Sequence, residues 1–313
     1  MRVIVLGAGA TGGYFGGRLQ EAGADVHFLV RPARAEQLGA QGLRIMSPDG
    51  DATLKPALIV SDRAAAVSGE RFDCALLACK AYDLDDAVAT LRPHVGSDTM
   101  VLPLLNGLRH LDRLDTAFGA GRVLGGLCQI SATLDSTGTI QHLGIPPRIL
   151  FGERAGGLSP RVEALAATMK GAKFEARASD NIMQDMWEKV TLLAAMAAAT
   201  CLMRASIGSI VSSPGGPDFM RAMVAETVAI ATAAGHAPRP AFHERLLKVM
   251  TDPASKLAAS MLRDIERGGL TEGDHILGDM VARAHVFGVG TPDLERASLN
   301  LAVYERRRPS GDA

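Results

Sequence analysis

The chain opens with a glycine-rich segment, VIVLGAGATGGYFG at Val3–Gly16, that constrains its fold more than any other stretch. The apolar run Val3–Leu6 predicts a buried parallel strand, and a helical pattern begins near Tyr14. Three glycines between them follow the spacing G-x-G-x-x-G: Gly7, Gly9 and Gly12. A strand, this loop and a helix in that order indicate a dinucleotide-binding fold.

Each glycine of the loop has a separate expected role. Gly7 permits the tight turn, Gly9 lets the backbone approach a pyrophosphate, and Gly12 allows the helix to pack closely on the strand. The helix N-terminus would hold the phosphates through its backbone N–H groups and its dipole. The residues predicted to line this cofactor site are Gly7, Ala8, Gly9, Ala10, Thr11 and Gly12.

Composition and charge exclude several classes of protein. The 313 residues suffice for two domains, and a formal net charge of −1 favours neither nucleic acid nor an anionic membrane as a partner. The first strand leaves no room for a signal peptide, and the apolar stretch Val190–Met203 is too short to span a bilayer. The four cysteines form no C-x-x-C pair and the histidines no ligand pattern. We therefore expect a cytoplasmic protein with reduced thiols and no metal site.

The order of predicted elements divides the chain in two. Strands and helices alternate up to about Ser179, and helical patterns alone follow from Asp180. This order predicts a Rossmann-type α/β domain over residues 1–179 and an all-helical domain over residues 180–313. Within the first domain we expect one strand over Ala52–Val60, a short helix over Ala64–Val67, and later strands that complete a sheet. Those later strands are Val123–Thr133, Gly138–Leu143 and Arg148–Phe151, and a last short strand is expected at Lys173–Ala176.

Arg31 bears on the choice of cofactor. The second strand, Asp25–Val30, ends beside it, where a dinucleotide fold reads the adenosine ribose. An acidic residue there favours NAD, whereas an arginine can pair with the 2′-phosphate of NADP. Arg31, with Arg34 nearby, therefore favours NADP; the alternative is that Arg31 is a solvated loop residue.

Three polar residues stand where the chemistry of a reduction would need them. Lys80 and Asn106 follow buried strands, and ligands gather at the carboxyl ends of such strands. Lys189 stands at the edge of a nearly all-apolar helical stretch, where desolvation would lower its pKa and suit it to donate a proton. The alternative is that Lys189 extends to solvent from a surface helix.

Taken together, these features resemble the ketopantoate reductase (2-dehydropantoate 2-reductase) family over nearly the whole chain. The motifs that carry the resemblance run from the N-terminus into the helical half. They are GAGATGGYFGGRL, Arg31, CKAYDLDDA at Cys79–Ala87, LNG at Leu105–Gly107, WEK at Trp187–Lys189, and SMLRDIERGGLTEGDHILG at Ser260–Gly278.

The resemblance implies roles for individual residues. Lys189 matches the proposed general acid that protonates the new alkoxide, and Glu272 matches the glutamate that bonds the substrate hydroxyl or positions the lysine. Lys80 and Asn106 would lie near nicotinamide and substrate, and Ser260 would contact the substrate carboxylate. The resemblance further implies NADPH as cofactor, a 2-oxo acid as substrate, and a homodimer. The substrate would lie in the cleft between the domains, which His275 could also line.

Three positions depart from the family pattern and leave the substrate open. Leu193 and Ala197, one and two helical turns after Lys189, stand where the family usually has Asn, as does Leu257 before Ser260. Such losses of polar contacts should cost about 1–3 kcal/mol each for ketopantoate. The chain is therefore expected to reduce ketopantoate or, alternatively, a more apolar 2-oxo acid or ketone. A further alternative is a non-catalytic NADP-binding sensor.

Overall fold

The structure is a computed structural model that describes residues 1–61 and 71–308. It divides into two compact units. The first comprises Met1–Leu105 and His110–Met183, and the second comprises Asn106–Arg109 and the chain from Gln184 onward. The helix predicted over Ala64–Val67 lies outside the described residues.

A five-stranded parallel sheet forms the centre of the first unit, in the order β5-β2-β1-β6-β7. The β1 strand is flanked on both sides, with Val3 opposite Val26 and Cys74. Its apolar residues are fully buried, as expected for a central parallel strand. The strands are β1 (Arg2–Leu6), β2 (Asp25–Val30), β5 (Ala57–Val60), β6 (Cys74–Leu77) and β7 (Met100–Pro103).

The remaining strands form two separate sheets instead of completing the first, which corrects the sequence prediction. One sheet has the order β4-β3-β10-β9 and the other the order β12-β11-β8. The predicted strand Ala52–Val60 is also two strands, because Pro56 has no N–H to give to a ladder. The strands of these sheets are β3 (Leu43–Met46), β4 (Ala52–Leu54), β8 (Gly125–Gln129), β9 (Ala132–Leu134), β10 (Ile140–His142), β11 (Arg148–Gly152) and β12 (Glu175–Ala178).

The first helix of this unit, α1 (Ala10–Glu21), packs between the parallel sheet and the β4-β3-β10-β9 sheet. A Cβ at Gly16 would lie 2.8 Å from the Phe28 ring, and one at Gly17 would lie 2.8 Å from Ile45. These glycines therefore let α1 approach both sheets closely. The other helices of the unit are α2 (Pro32–Gln41), α3 (Leu84–Leu91), α4 (His110–Phe118) and α5 (Pro160–Met169).

The second unit is helical throughout its described residues. A single π-helical turn, Asp274–Gly278, runs directly into α11 and is called the π-turn below. The helices are α6 (Ile182–Met203, which begins in the first unit), α7 (Ile207–Val211), α8 (Gly216–Ala233), α9 (Pro240–Met250), α10 (Ser260–Glu266), α11 (Asp279–Phe287) and α12 (Pro292–Arg307).

Among the described helices, α6 is long and apolar enough to cross a membrane by length and composition alone. The stretch Val190–Met203, predicted to be too short for this, is the C-terminal part of that 22-residue helix. However, 67% of its most apolar window is buried inside the protein, as in the core helix of a soluble protein. Its length and composition are therefore weak evidence for a membrane span. The four cysteines, all in described positions, form no disulfide.

Candidate active site

The glycine loop between β1 and α1 has the geometry that a pyrophosphate needs. Gly7 has φ +89°, which favours glycine, and its N–H donates to the carbonyl of Leu29 at 2.9 Å. A Cβ at Gly12 would lie 2.2 Å from the carbonyl oxygen of Gly7, so only glycine fits there. By contrast, a Cβ at Gly9 would have no heavy atom within 4 Å. The loop thus leaves the backbone at Gly9 open to a ligand.

The N-terminus of α1 fits an anionic group. Gly9 is the N-cap residue, and no side chain in the described ranges caps the helix there. The first intrahelical bond begins only at Gly13, whose N–H donates to the Gly9 carbonyl at 2.9 Å. The earlier N–H groups therefore point along the helix axis toward the loop, as at a phosphate-binding helix N-terminus. The open backbone at Gly9 and the free N–H groups of the first turn of α1 can therefore bind the pyrophosphate of a dinucleotide.

Arg31 lies at the end of β2, as predicted, and it is already paired. Its guanidinium donates to Asp86 at 3.0 Å and to Asp83 at 3.2 Å, and 65% of the Arg31 side chain is exposed. Arg34 turns away from the surface: it donates to the Ala8 carbonyl at 3.0 Å and so braces the glycine loop. A 2′-phosphate at Arg31 would compete with two carboxylates.

Lys80 lies just beyond the carboxyl end of β6 and is half-buried. Its carbonyl accepts a bond from Asp83 N–H at 3.0 Å, which closes the short 3₁₀ helix Ala81–Asp83. This places Lys80 at the same sheet edge as the glycine loop, because parallel strands end on one side.

Within the second unit, the three residues of the WEK motif point in different directions from α6. Trp187 stacks on His236 with ring centroids 5.5 Å apart, and the guanidinium of Arg283 lies over the Trp187 ring, 5.5 Å from its centroid. The buried carboxylate of Glu188 accepts from the Arg239 backbone N–H at 2.9 Å and from its guanidinium at 2.8 Å. Burial acts to raise the pKa of Glu188, but the hydrogen bonds and charge of Arg239 outweigh it and lower that pKa. These contacts fix α6 and the direction of Lys189.

Lys189 and Asn106 meet directly. The Nζ of Lys189 lies 3.0 Å from the Oδ1 of Asn106, and the lysine donates. Asn106 belongs to the segment Asn106–Arg109, which packs with the helical unit although it follows β7 of the first unit. Both side chains are half-buried. The two residues predicted separately are thus one hydrogen-bonded pair.

Glu272 lies at the entrance to the π-turn and is 7% exposed. Its carbonyl accepts from Ile276 N–H at 2.9 Å, and its carboxylate is near enough to His275 to act on the charge of that ring. π-turns are frequent at functional sites. The π-turn therefore brings Glu272 and His275 together, next to the segment that carries Asn106.

The remaining predicted positions have varied surroundings. Ser260 is the first residue of α10 and is exposed, and Leu257 is also exposed in the preceding loop. Leu193 is half-buried, whereas Ala197 is 3% exposed within the core of the second unit. An asparagine at position 197 would therefore have to fit at a buried position that now holds only a methyl group. The described ranges hold no group of three or more His, Cys, Asp or Glu that could bind a metal.

Family models match both halves of the chain. The model "Ketopantoate reductase PanE/ApbA" matches residues 3–156, and "Ketopantoate reductase PanE/ApbA C terminal" matches residues 181–304. This family consists of oxidoreductases that act on a CH–OH group and bind a nicotinamide dinucleotide.

Individual proteins match over nearly their whole length. The chain is 38% identical to the "uncharacterized oxidoreductase YkpB" of Bacillus subtilis (strain 168), covering 98% of this chain and 100% of that protein. The crystal structure of 2-dehydropantoate 2-reductase from Methylococcus capsulatus superposes with a TM-score of 0.87 at 31% identity, covering 99% of both chains. A structure of D-mandelate dehydrogenase with NADH and anilino(oxo)acetate has a TM-score of 0.85 at 22% identity, covering 98% of both. At that identity the last comparison bears on the fold alone.

Proposed function

Because the chain belongs to the ketopantoate reductase family, we propose that it reduces the ketone of 2-dehydropantoate to pantoate with NADPH, as a step of pantothenate biosynthesis. The observation that carries the proposal is the hydrogen bond between Lys189 and Asn106, with buried Glu272 just before the π-turn. This arrangement supplies a held proton donor, which a ketone reduction requires and a simple binding module does not.

The loop from Gly7 to Gly12 would bind the pyrophosphate. Its open backbone at Gly9 and the N-terminus of α1 are the features that support this. When bound, the nicotinamide supplies a hydride to the carbonyl carbon.

Arg31 supports NADPH over NADH. It can exchange its exposed ion pairs with Asp83 and Asp86 for the 2′-phosphate, because exposed pairs contribute only about 0–1 kcal/mol.

The residues of this chain have the following roles in the proposed reaction. Lys189 gives a proton from its Nζ to the carbonyl oxygen as negative charge develops there, and solvent then reprotonates the amine. Asn106 holds the lysine before transfer through its Oδ1. Glu272 orients the lysine or bonds the substrate hydroxyl. Lys80 and Ser260 would bind the substrate carboxylate, Lys80 by charge and Ser260 by its hydroxyl.

A second candidate has a specific observation in its favour. Ala197 is buried and Leu193 is half-buried, both on the same face of α6 as Lys189. An apolar face suits a 2-oxo acid that has no hydroxyl. The second candidate is therefore reduction of a more apolar 2-oxo acid by the same residues.

One pair of substrates separates the two candidates. 2-Dehydropantoate and 3,3-dimethyl-2-oxobutanoate differ only in the hydroxyl, so NADPH oxidation with each reports how the site treats that group. A site that hydrogen-bonds a hydroxyl rejects the analogue without it by about 10⁴-fold or more, whereas an apolar pocket discriminates by about 10² at most. We expect kcat/KM to favour 2-dehydropantoate by at least about 10³. A preference for 2-dehydropantoate of about 10² or less, or an inverted preference, would select the second candidate. Tight NADPH binding without oxidation by either acid would contradict both.

We propose a homodimer that forms through the helical unit in the cytoplasm. Leu299 and Val303 lie one turn apart on α12 and are 64% and 44% exposed, and Val286 at the end of α11 is 81% exposed. These apolar side chains support the proposal, and sedimentation of the parent and of Leu299→Glu tests it: the parent should sediment as a dimer and the variant as a monomer.

A further inference from the structure

His275 lies against the backbone turn that carries Asn106. It is the second residue of the π-turn, and the turn that it meets is closed by Gly107 with φ +83°. A Cβ at Gly107 would lie 3.1 Å from the Cδ2 of His275 and 3.3 Å from its Nε2. The imidazole therefore packs directly on this peptide, and the absence of a side chain at position 107 makes room for it.

The same imidazole is hydrogen-bonded to the backbone of Asn106. The bond favours the protonated ring, so an imidazole N–H donates and the carbonyl oxygen of Asn106 accepts. His275 thus holds the main chain of Asn106, while the side chain of Asn106 accepts from Lys189 at 3.0 Å. Three residues from the π-turn, the 106–109 segment and α6 form one series of contacts.

A second contact between these segments is weaker. Arg109 donates to Asp274 at 2.7 Å, but their side chains are 53% and 88% exposed. An exposed pair of this kind contributes about 0–1 kcal/mol and is screened by salt. His275, which is half-buried and packs on Gly107, is less exposed to solvent than either side chain of this ion pair.

We propose that His275 is a positioning residue for the reduction: it fixes the backbone of Asn106 so that the amide oxygen of Asn106 orients the ammonium of Lys189. This inference rests on the proposed function, in which Lys189 donates the proton. His275 acts through Asn106 and requires no contact with substrate or cofactor.

The electrostatic surroundings of His275 agree with this role. Burial lowers its pKa, and Arg109 adds to this, while Glu272, Asp279 and the carbonyl of Asn106 act in the opposite direction. With the pKa lowered from 6.5, the ring is neutral at neutral pH. It can then donate a hydrogen bond without placing a second positive charge near Lys189.

The first test compares two substitutions with a matched control. His275→Phe keeps a ring against Gly107 but removes the donor, whereas His275→Gln keeps an N–H donor. We expect His275→Phe to lower kcat about tenfold or more, with the KM for NADPH and for the 2-oxo acid changed less than twofold. His275→Gln should recover most of kcat. The control, His285→Phe, changes an exposed histidine of α11 and should keep the kcat of the parent.

The second test asks whether His275 acts through Lys189. If it does, Lys189→Ala combined with His275→Phe should be no slower than Lys189→Ala alone. Losses that multiply in the double variant, or an unchanged kcat in His275→Phe, would overturn the positioning role while leaving the proposed function intact.

A third measurement does not depend on turnover. Amide hydrogen exchange at residues 106–109 should be faster in His275→Phe and restored in His275→Gln. Unchanged exchange in His275→Phe would overturn the inference. Failure of the proposed function has a different signature, since the parent would then reduce no 2-oxo acid, or Lys189→Ala would reduce it as fast as the parent.

Discussion

Lys189 Nζ donates to Asn106 Oδ1 at 3.0 Å, although 83 residues of sequence separate the two. The lysine comes from α6, and the asparagine from the segment after β7 that packs with the helical unit. The contact gives the ammonium of Lys189 a fixed direction within the second unit. The two positions of α6 that follow Lys189 by one and two turns are apolar, Leu193 and Ala197. The side-chain amide beside the lysine comes instead from Asn106.

Exposed Gly9 and buried Gly12 of the glycine motif should respond differently to substitution by alanine. Gly12→Ala would place a Cβ 2.2 Å from the Gly7 carbonyl oxygen, so we expect a clear fall in the free energy of unfolding. Gly9→Ala has open space, so its stability should stay within about 1 kcal/mol of the parent, while NADPH binding weakens at least tenfold. Chemical denaturation measures the free energy of unfolding of each variant, and NADPH titration measures its dissociation constant. Unchanged NADPH affinity in Gly9→Ala would refute the phosphate role of the loop.

Cofactor preference should depend on Arg31 and the carboxylates that hold it. Arg31→Ala should weaken NADPH about tenfold and leave NADH unchanged, because only NADPH has the 2′-phosphate. Asp86→Asn should strengthen NADPH binding severalfold by removing a competitor. Asp85→Asn is the control, since Asp85 lies on the same helical turn but pairs with Arg113. Equal losses for both cofactors in Arg31→Ala would contradict this prediction.

The stability of the second unit should depend on Arg239. Arg239→Met would leave the buried carboxylates of Glu188 and Asp185 without their cation. Breaking a fully buried pair costs about 3–5 kcal/mol. We expect a smaller loss of about 1–3 kcal/mol here, because half of the Arg239 side chain is exposed. Arg221→Met, which removes an exposed pair with Asp218, should change the free energy of unfolding by less than about 0.5 kcal/mol. Urea unfolding of the two variants measures both losses of stability. Equal losses in Arg239→Met and Arg221→Met would contradict this prediction.

Stability should fall as the pH is lowered from neutrality. Burial lowers the pKa of both His236 and His275 below 6.5 in the folded state. Below pH 6.5 the unfolded chain therefore binds more protons than the folded chain, so stability increases with pH between the folded and unfolded pKa values. Stability from the lowered pKa of Glu188 is lost at lower pH. His236→Phe keeps a ring on Trp187 but removes the titrating group. Between pH 7.5 and 5, the free energy of unfolding should therefore decline less steeply in this variant than in the parent. An identical pH dependence in the two proteins would refute the contribution of His236.

Features with a local signal could be predicted from the sequence. The spacing of Gly7, Gly9 and Gly12 predicted the loop, and apolar runs predicted β1 and β2. The helical character of the chain after Ser179 was also correct, although the described division falls after Met183 and gives residues 106–109 to the second unit. These elements are set by periodicity and turn chemistry over a few residues.

Features that depend on distant partners were missed. The partition of strands into three sheets rests on pairing between remote segments, such as β10 beside β3. Arg239, between two prolines, showed no signal that it would pair with Glu188. Arg18 would be expected on a surface, yet it is fully buried with its guanidinium on Glu21 and the Gly50 carbonyl. The π-turn likewise has no local pattern that distinguishes it from an ordinary helix start.

The candidate site was predicted as a set of residues but not as a set of contacts. Asn106 and Lys189 were singled out by their places after a strand and beside an apolar helical stretch, and the family resemblance added Glu272 and the roles of all three. Nothing in the sequence showed that Lys189 and Asn106 would bond or that His275 would pack on the turn at Gly107. Their roles in the reaction stay predictions until activity is measured.

The most direct test of the central claim is NADPH oxidation by Lys189→Ala in single turnover, with the NADPH dissociation constant measured on the same preparation. If Lys189 is the proton donor, the rate of 2-dehydropantoate reduction should fall about 10²–10⁴-fold while the dissociation constant changes less than threefold. A variant that reduces 2-dehydropantoate at the parental rate would contradict the account and remove Lys189 from the mechanism.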